Sequence, residues 1–316
     1  MTITIAVATG TMAAEPWCAA LQEACAGAGL DTAFVEWKGK PIGAKYAAVW
    51  LPPAELFRVE PGIRAVFNIG AGVDGLLAAN TVPAHLPILR LVDAGMAVKM
   101  AEYVCFFIAR ITRGLHRFGP PPSGLRDWNA DRPRGAPPTV GVMGLGAIGL
   151  PIARAVASFG YPVAGWSRSA RTEDFIRGFA GFDQLDTFLN ASQILVNALP
   201  LTPGTRDLLN AARLAQLPRG AHLINVGRGG TIVDADLLAA LDRGQLAGAT
   251  LDVFRTEPLP ESDPFWSHPR VTVTPHLSGP TPRRPAAEQI ATMLGQLEAG
   301  AAATALPGRV DRTLGY

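Results

Sequence analysis

The sequence predicts an α/β protein of two Rossmann-like domains, each a doubly wound parallel sheet. Three observations carry this. Short apolar runs of strand character alternate with amphipathic helical stretches, the pattern of a parallel sheet with helices on both faces. One such run, Thr139 to Met143, feeds Gly144-Leu145-Gly146-Ala147-Ile148-Gly149 and then a helical stretch from Pro151 to Phe159, which is the dinucleotide-binding layout. The chain also has 316 residues, more than one core usually serves, so two domains are expected.

Taken in order, Thr2 to Ala8 reads as the first strand and Glu15 to Ala28 as a helix with apolar residues along one face. Thr32 to Trp37, Ala47 to Leu51 and Arg64 to Ile69 are further strands. Gly70-Ala71-Gly72-Val73-Asp74 follows as a small-residue turn, either a place where exposed N–H groups hold an anion or a plain strand-to-helix loop. Trp50, before Pro52-Pro53, either walls a pocket or caps the core. Ile88 to Val92 is another strand, and Met96 to about Phe118 a long hydrophobic helix of the kind buried between domains. Gly119 to Gly124 stops it, and the Pro-, Arg- and Gly-rich stretch on to Pro138 reads as a surface arm.

The glycine-rich run comes next. Gly144 permits the tight turn, Gly146 lets a pyrophosphate approach the backbone, and Gly149 allows close helix–strand contact. The following helix presents free N–H groups and a partial positive charge to the phosphates. The strand Tyr161 to Trp166 then ends in Trp166-Ser167-Arg168-Ser169-Ala170-Arg171. An NAD site ends this strand in an Asp or Glu that bonds the ribose hydroxyls. Here no carboxylate precedes Glu173, while Arg168 and Arg171 suit a 2′-phosphate, so NADP is expected over NAD; two solvated arginines are the alternative. Gln193 to Leu199, Ala221 to Val226, Ala247 to Val253 and Val271 to Thr274 are strands, and 205–216, Asp234 to Arg243 and Thr281 to Glu298 helices.

Composition narrows the function classes. With 48% hydrophobic and 17% charged residues, the chain fits a soluble protein with a large core. A net charge of +2, from 28 basic and 26 acidic residues, gives no broad field for nucleic acid or an acidic membrane. No charge-free apolar run reaches the roughly 18 residues of a membrane span. The start, MTITIAVATG, lacks the basic region of a signal peptide. Cys18, Cys25 and Cys105 form neither a pairing framework nor a metal spacing, and Cys18 and Cys25 read as half-buried thiols. The expectation is a cytoplasmic protein without metal.

Three side chains, Arg228, Glu257 and His276, each stand in the loop after a strand, where an open parallel sheet borders its ligand crevice. They match what a reaction between a nicotinamide and a 2-oxo acid needs. Arg228 would bind the carboxylate in a fork and polarise the ketone. His276 would deliver a proton to the carbonyl oxygen, and Glu257 would orient the imidazole and favour its charged form. Singly each reads as ordinary: a surface charge, a turn acid, a loop histidine. Their joint placement after successive strands reverses that. His85, His116, His222 and His268 carry no partner pattern and are read as structural.

Over nearly its whole length the chain resembles the D-isomer-specific 2-hydroxyacid dehydrogenase family. The carrying motifs are GLGAIG (144–149), NVGRGG (225–230), LDVFRTEPLP (251–260) and HPRVTVTPHLSG (268–279). YAAVWLPP (46–53), AVFNIGAGVDGLL (65–77), DAGMAVKMAEY (93–103), WSRS (166–169) and the VDRTLGY end are similar to the glyoxylate/hydroxypyruvate reductase A branch. The resemblance puts the family's catalytic Arg, Glu and His on Arg228, Glu257 and His276, and its substrate-carboxylate loop on Ala71 and Gly72; Trp50, from its place at a strand end, is the further substrate candidate. It puts the nicotinamide-carboxamide contact on Asp252. The expected cofactor set is Gly144, Gly146, Ala147, Ile148, Gly149, Ser167, Arg168, Ser169, Arg171, Leu199, Pro200, Val226 and Asp252. It further implies a discontinuous, flavodoxin-like substrate domain, 1–100 plus 284–316, an NAD(P)-binding domain, 101–283, and a homodimer formed through the cofactor domains. The arm from Pro120 to Pro138 matches the family only loosely. The family's formate dehydrogenases carry Gln where Glu257 stands, which disfavours that reading.

The expected activity is NADPH-dependent reduction of glyoxylate to glycolate or hydroxypyruvate to D-glycerate. One alternative is a reductase of a bulkier 2-oxo acid. Another is a dinucleotide-sensing interaction protein similar to the family's corepressor relatives, against which stands the absence of a long disordered extension.

Overall fold

In the computed structural model, which describes residues 2–115, 118 and 135–316, the chain packs as two units, Met1–Gly95 with Thr281–Tyr316, and Met96–Pro280.

The first unit begins β1 (Ile3–Ala8), α1 (Glu15–Gly27), β2 (Thr32–Glu36) and β3 (Tyr46–Val49). It continues α2 (Glu55–Val59), β4 (Ala65–Asn68), α3 (Asp74–Ala79) and β5 (Ile88–Arg90). The sheet is parallel in the order β2-β1-β3-β4-β5, the flavodoxin-like arrangement. β3 and β4 are buried at every position, which is why both read as unbroken apolar runs. Register aligns Ala8, Val49 and Asn68, so Trp50 and the Gly70–Gly72 turn leave the sheet at the same end. The chain's last helix, Arg283–Glu298, returns to pack on α1. Its Glu298 accepts from Lys45 Nζ at 2.7 Å and Tyr46 Oη at 2.6 Å. Arg309 bridges Leu89 in the antiparallel sense and blunts the open edge of β5. Arg312 holds this tail by donating to the carbonyls of Val82, Pro83 and Leu86. Of the two α1 thiols read as half-buried, Cys25 is fully buried.

The second unit runs α4 (Met96–Thr112), β6 (Val140–Met143), α5 (Gly149–Ser158), β7 (Val163–Ser167) and β8 (Ile176–Ala180). There follow α6 (Leu185–Asn190), β9 (Ile194–Asn197), α7 (Ala211–Leu214), β10 (Ala221–Asn225), α8 (Asp234–Asp242), β11 (Leu246–Leu251) and β12 (Val271–Val273). All strands are parallel, in the order β12-β11-β10-β9-β6-β7-β8. Sequence order reverses between β6 and β9, which makes that junction the switch point where such sheets bind ligands. Register lines up Val273, Leu251, Asn225, Asn197, Met143 and Trp166 in one row across the sheet. Every loop named as functional in this unit starts just past that row.

Three expectations change. The helix read over 205–216 shrinks to α7, because Asp207 takes a left-handed φ of 54° and Asn210 caps the turn by accepting from Arg213 N–H at 3.2 Å. The helix from Met96 ends at Thr112, where Gly114 turns the chain at φ 64°. It is also buried on one side only: Val98 is 69% and Phe106 59% exposed. The arm from Pro120, the stop from Gly119 to Gly124 and His116 lie outside the described residues, apart from 135–138.

Candidate active site

The glycine-rich loop after β6 is shaped by close approach. Gly144 has φ 94°, which favours glycine, and a Cβ at Gly149 would stand 1.8 Å from the Gly144 carbonyl oxygen. Gly146 is the opposite case, exposed, with no heavy atom within 4 Å of where a Cβ would be. α5 then starts with no side chain capping its first N–H groups. An open glycine beside uncapped helix N–H groups fits a pyrophosphate, so the residues present suit a dinucleotide. Ala147 is exposed and Ile148 half-buried beside Gly146.

The loop after β7 carries Ser167, half-buried, and Arg168, Ser169 and Arg171, all exposed. Ser167 Oγ donates to Ser169 O at 2.7 Å and fixes the turn. Gly144 N–H donates to Trp166 O at 2.8 Å and joins this loop to the glycine-rich one. After β9, Leu199 is buried and Pro200 exposed. Val226, buried after β10, donates its N–H to Asn197 O at 3.0 Å.

His276 and Glu257 meet. The imidazole Nδ1 lies 2.6 Å from Glu257 Oε2, and Phe254 N–H donates to Oε1 at 2.9 Å, so both carboxylate oxygens are engaged. Burial pushes the Glu257 carboxyl up, but the bonds from His276 and Phe254, with the charges of His276 and Arg228, hold it below the ordinary value. The pairing through Nδ1 leaves Nε2 for a substrate.

His276 adopts a left-handed φ of 51°, costly for a non-glycine residue. What holds it there is Asp252. This fully buried carboxylate accepts from Thr274 Oγ1 at 2.6 Å, Leu277 N–H at 2.9 Å and Ser278 N–H at 2.9 Å. His276 N–H donates to Asp252 O at 2.9 Å. Tyr103 of α4 braces the same loop, its hydroxyl 2.7 Å from Thr274 Oγ1.

Arg228, half-buried, is held by its neighbours. A Cβ at Gly227 would stand 2.6 Å from Leu199 O, and one at Gly229 2.0 Å from the Phe254 carbonyl carbon, so both glycines allow backbone contact. The Phe254–Glu257 turn is pinned in turn by Arg255, which bonds Asp207 and Ile232 O and pairs with Asp234 at 3.5 Å. The Arg228 carbonyl accepts from Asn225 Nδ2 at 3.2 Å and Thr231 Oγ1 at 2.7 Å. Asn197 lies behind them, donating to both Asn225 Oδ1 and Thr231 Oγ1. The sequence reading missed these three. Its available signal was that two neighbouring apolar strands, ILVN and AHLIN, each end in asparagine.

In the first unit, Asn68 Nδ2 donates to Gly70 O at 2.8 Å and Gly72 O at 2.9 Å. A Cβ at Gly70 would stand 2.4 Å from the Trp50 ring, so Trp50 packs on this turn. Ala71 and Gly72 are half-buried. Among the described residues, no group of three or more His, Cys, Asp or Glu could hold a metal ion, and no helix is long and apolar enough to cross a membrane.

Comparison with known proteins gives the family. The model of the D-isomer specific 2-hydroxyacid dehydrogenase NAD binding domain matches residues 126–278. Glyoxylate/hydroxypyruvate reductase A of Serratia proteamaculans is 42% identical over 311 residues, 96% of each chain. A D-isomer specific 2-hydroxyacid dehydrogenase from Xanthobacter autotrophicus, solved with NADPH and MES, superposes with a TM-score of 0.89 at 39% identity over 100% of both chains. The NADPH-dependent glyoxylate/hydroxypyruvate reductase of Sinorhizobium meliloti, solved with NADP and sulfate, gives 0.83 at 33% identity, again over 100% of both. These likenesses show that the chain belongs to the D-isomer-specific 2-hydroxyacid dehydrogenase family.

Proposed function

We propose that the protein is an NADPH-dependent reductase of a small 2-oxo acid, converting glyoxylate to glycolate and hydroxypyruvate to D-glycerate. The observation that carries this is the His276–Glu257 pair, 2.6 Å apart, beside the charge of Arg228 at the carboxyl end of a parallel sheet. When bound, the reduced nicotinamide supplies the hydride that reaches the carbonyl carbon. His276 gives its proton to the carbonyl oxygen as that carbon accepts the hydride, so the 2-oxo acid leaves as the 2-hydroxy acid. Arg228 anchors the carboxylate and draws charge from the ketone. Glu257, ionised and unable to donate, holds the imidazole by Nδ1 and favours the imidazolium that can. The family resemblance assigns the substrate carboxylate to Ala71 and Gly72, and Trp50, which packs on that turn, is the further substrate candidate.

The turn after β7, with Arg168 and Arg171 exposed, supports NADP over NAD, since it carries guanidinium groups in place of the carboxylate of an NAD site. The relative from Xanthobacter autotrophicus was solved with NADPH, and the reductase from Sinorhizobium meliloti is described as NADPH-dependent. Asp252 is assigned two tasks, the carboxamide contact that the resemblance implies and the support of the His276 loop. We further assign the homodimer that the family resemblance implies; α4 exposes Val98 and Phe106, two apolar side chains flanking the Lys99–Glu102 ion pair.

The test is consumption of NADPH and NADH with glyoxylate, hydroxypyruvate, pyruvate and phenylpyruvate. The expected result is turnover with the first two, faster with NADPH. Arg168→Ala with Arg171→Ala weakens NADPH much more than NADH. Turnover with phenylpyruvate alone would favour the bulky-substrate reading, and none with any acid would end the enzyme reading.

A further inference from the structure

We propose that Asn197, Asn225 and Thr231 are positioning residues that fix the Arg228 backbone and so set the grip on the substrate carboxylate. This rests on the role given to Arg228 above. All three side chains are fully buried. Asn197 closes β9, Asn225 closes β10, and the two are register partners, so adjacent strands deliver both amides to one place.

The bonding is closed. Asn197 Nδ2 donates to Asn225 Oδ1 at 2.9 Å and to Thr231 Oγ1 at 2.7 Å. The Thr231 hydroxyl, having accepted there, spends its single proton on Arg228 O at 2.7 Å, and Asn225 Nδ2 reaches the same carbonyl at 3.2 Å. Thr231 N–H adds a third donor at 3.3 Å. Asn225 Oδ1 also accepts Gly227 N–H at 3.2 Å, and Asn197 Oδ1 accepts Leu199 N–H at 3.2 Å. Turning either amide over would face donors against donors, so the network has one arrangement.

Apolar residues of similar volume would fill this part of the core without the desolvation cost of three polar side chains. What the polar set adds is a fixed carbonyl. Arg228 is extended, at φ −145° and ψ 140°, and sits between two glycines pressed against neighbouring backbone. Three donors on its carbonyl then prevent rotation of the peptide plane from which the guanidinium departs. Arg228 grips the carboxylate in the bound substrate as well as during reaction, so a displaced guanidinium weakens substrate binding itself.

Thr231→Val removes the hydroxyl at nearly constant volume, and Thr231→Ser keeps it. Thr231→Val should raise the KM for glyoxylate roughly tenfold to a hundredfold, the loss of a charge-assisted hydrogen bond, while the Kd for NADPH, read by fluorescence, stays put; Thr231→Ser should restore KM. In an Arg228→Lys background, Thr231→Val should cost little more, because the grip it serves is already lost. Where valine does not fold, Thr231→Ala carries the same expectations. Multiplying effects in the double variant, or a lowered Tm and kcat with unchanged glyoxylate KM, overturn the proposal. Absence of turnover in the wild type, or a wild-type KM in Arg228→Lys, overturns instead the reading of Arg228 and is seen before Thr231 is altered.

Discussion

Glu257 is about a third exposed, yet neither of its carboxylate oxygens is idle. Its lowered pKa keeps it ionised through the neutral range, where it holds the imidazole beside it by Nδ1. The same sign governs stability: the contribution of this carboxylate is present above the unfolded-state value and is lost as pH falls through the folded one. Glu257→Gln should therefore lower kcat with glyoxylate roughly tenfold or more, because the imidazole loses the carboxylate that orients it. A wild-type kcat in that variant contradicts the pairing. At this scale the sequence was informative where chemistry is rare and silent where it is common. An Arg, a Glu and a His after successive strands stood out. Asn197, Asn225 and Thr231 did not, because only a resolved register shows that they touch.

At the scale of elements, the β6–α5 crossover shows how one glycine motif does two jobs. Gly149 lets the helix start against the Gly144 carbonyl, while Gly146 leaves space for a ligand. The two should separate on substitution. Gly149→Ala should cost about 1–3 kcal/mol of stability through overpacking. Gly146→Ala should leave Tm almost unchanged and weaken NADPH binding roughly tenfold, about 1.4 kcal/mol. Thermal melts with and without NADPH check both, and equal losses of Tm would contradict the division. Elements with continuous burial, β3, β4, β6 and β9, were legible as apolar runs. β8 was not. Its Arg177 and Gly178 are exposed, and as the sheet's outer strand it needs no apolar run on both faces. The short helices α2, α3 and α6, of five or six residues, are too brief for a helical period to be read.

For the whole molecule, alternation of strands and helices foretold two parallel sheets, and their strand orders bear that out. The row from Val273 to Trp166 is the physical reason the site could be anticipated: aligned strand ends bring loops distant in sequence to one edge. The proposed homodimer belongs to this scale. Phe106→Glu should halve the mass found by sedimentation, and a monomeric wild type would contradict the assignment. The central claim, that His276 is the proton donor, is tested most directly by His276→Ala. Its kcat with glyoxylate and NADPH should fall by roughly 10²–10⁴ while the Kd for NADPH is unchanged; a rate near that of the wild type would remove His276 from the chemistry.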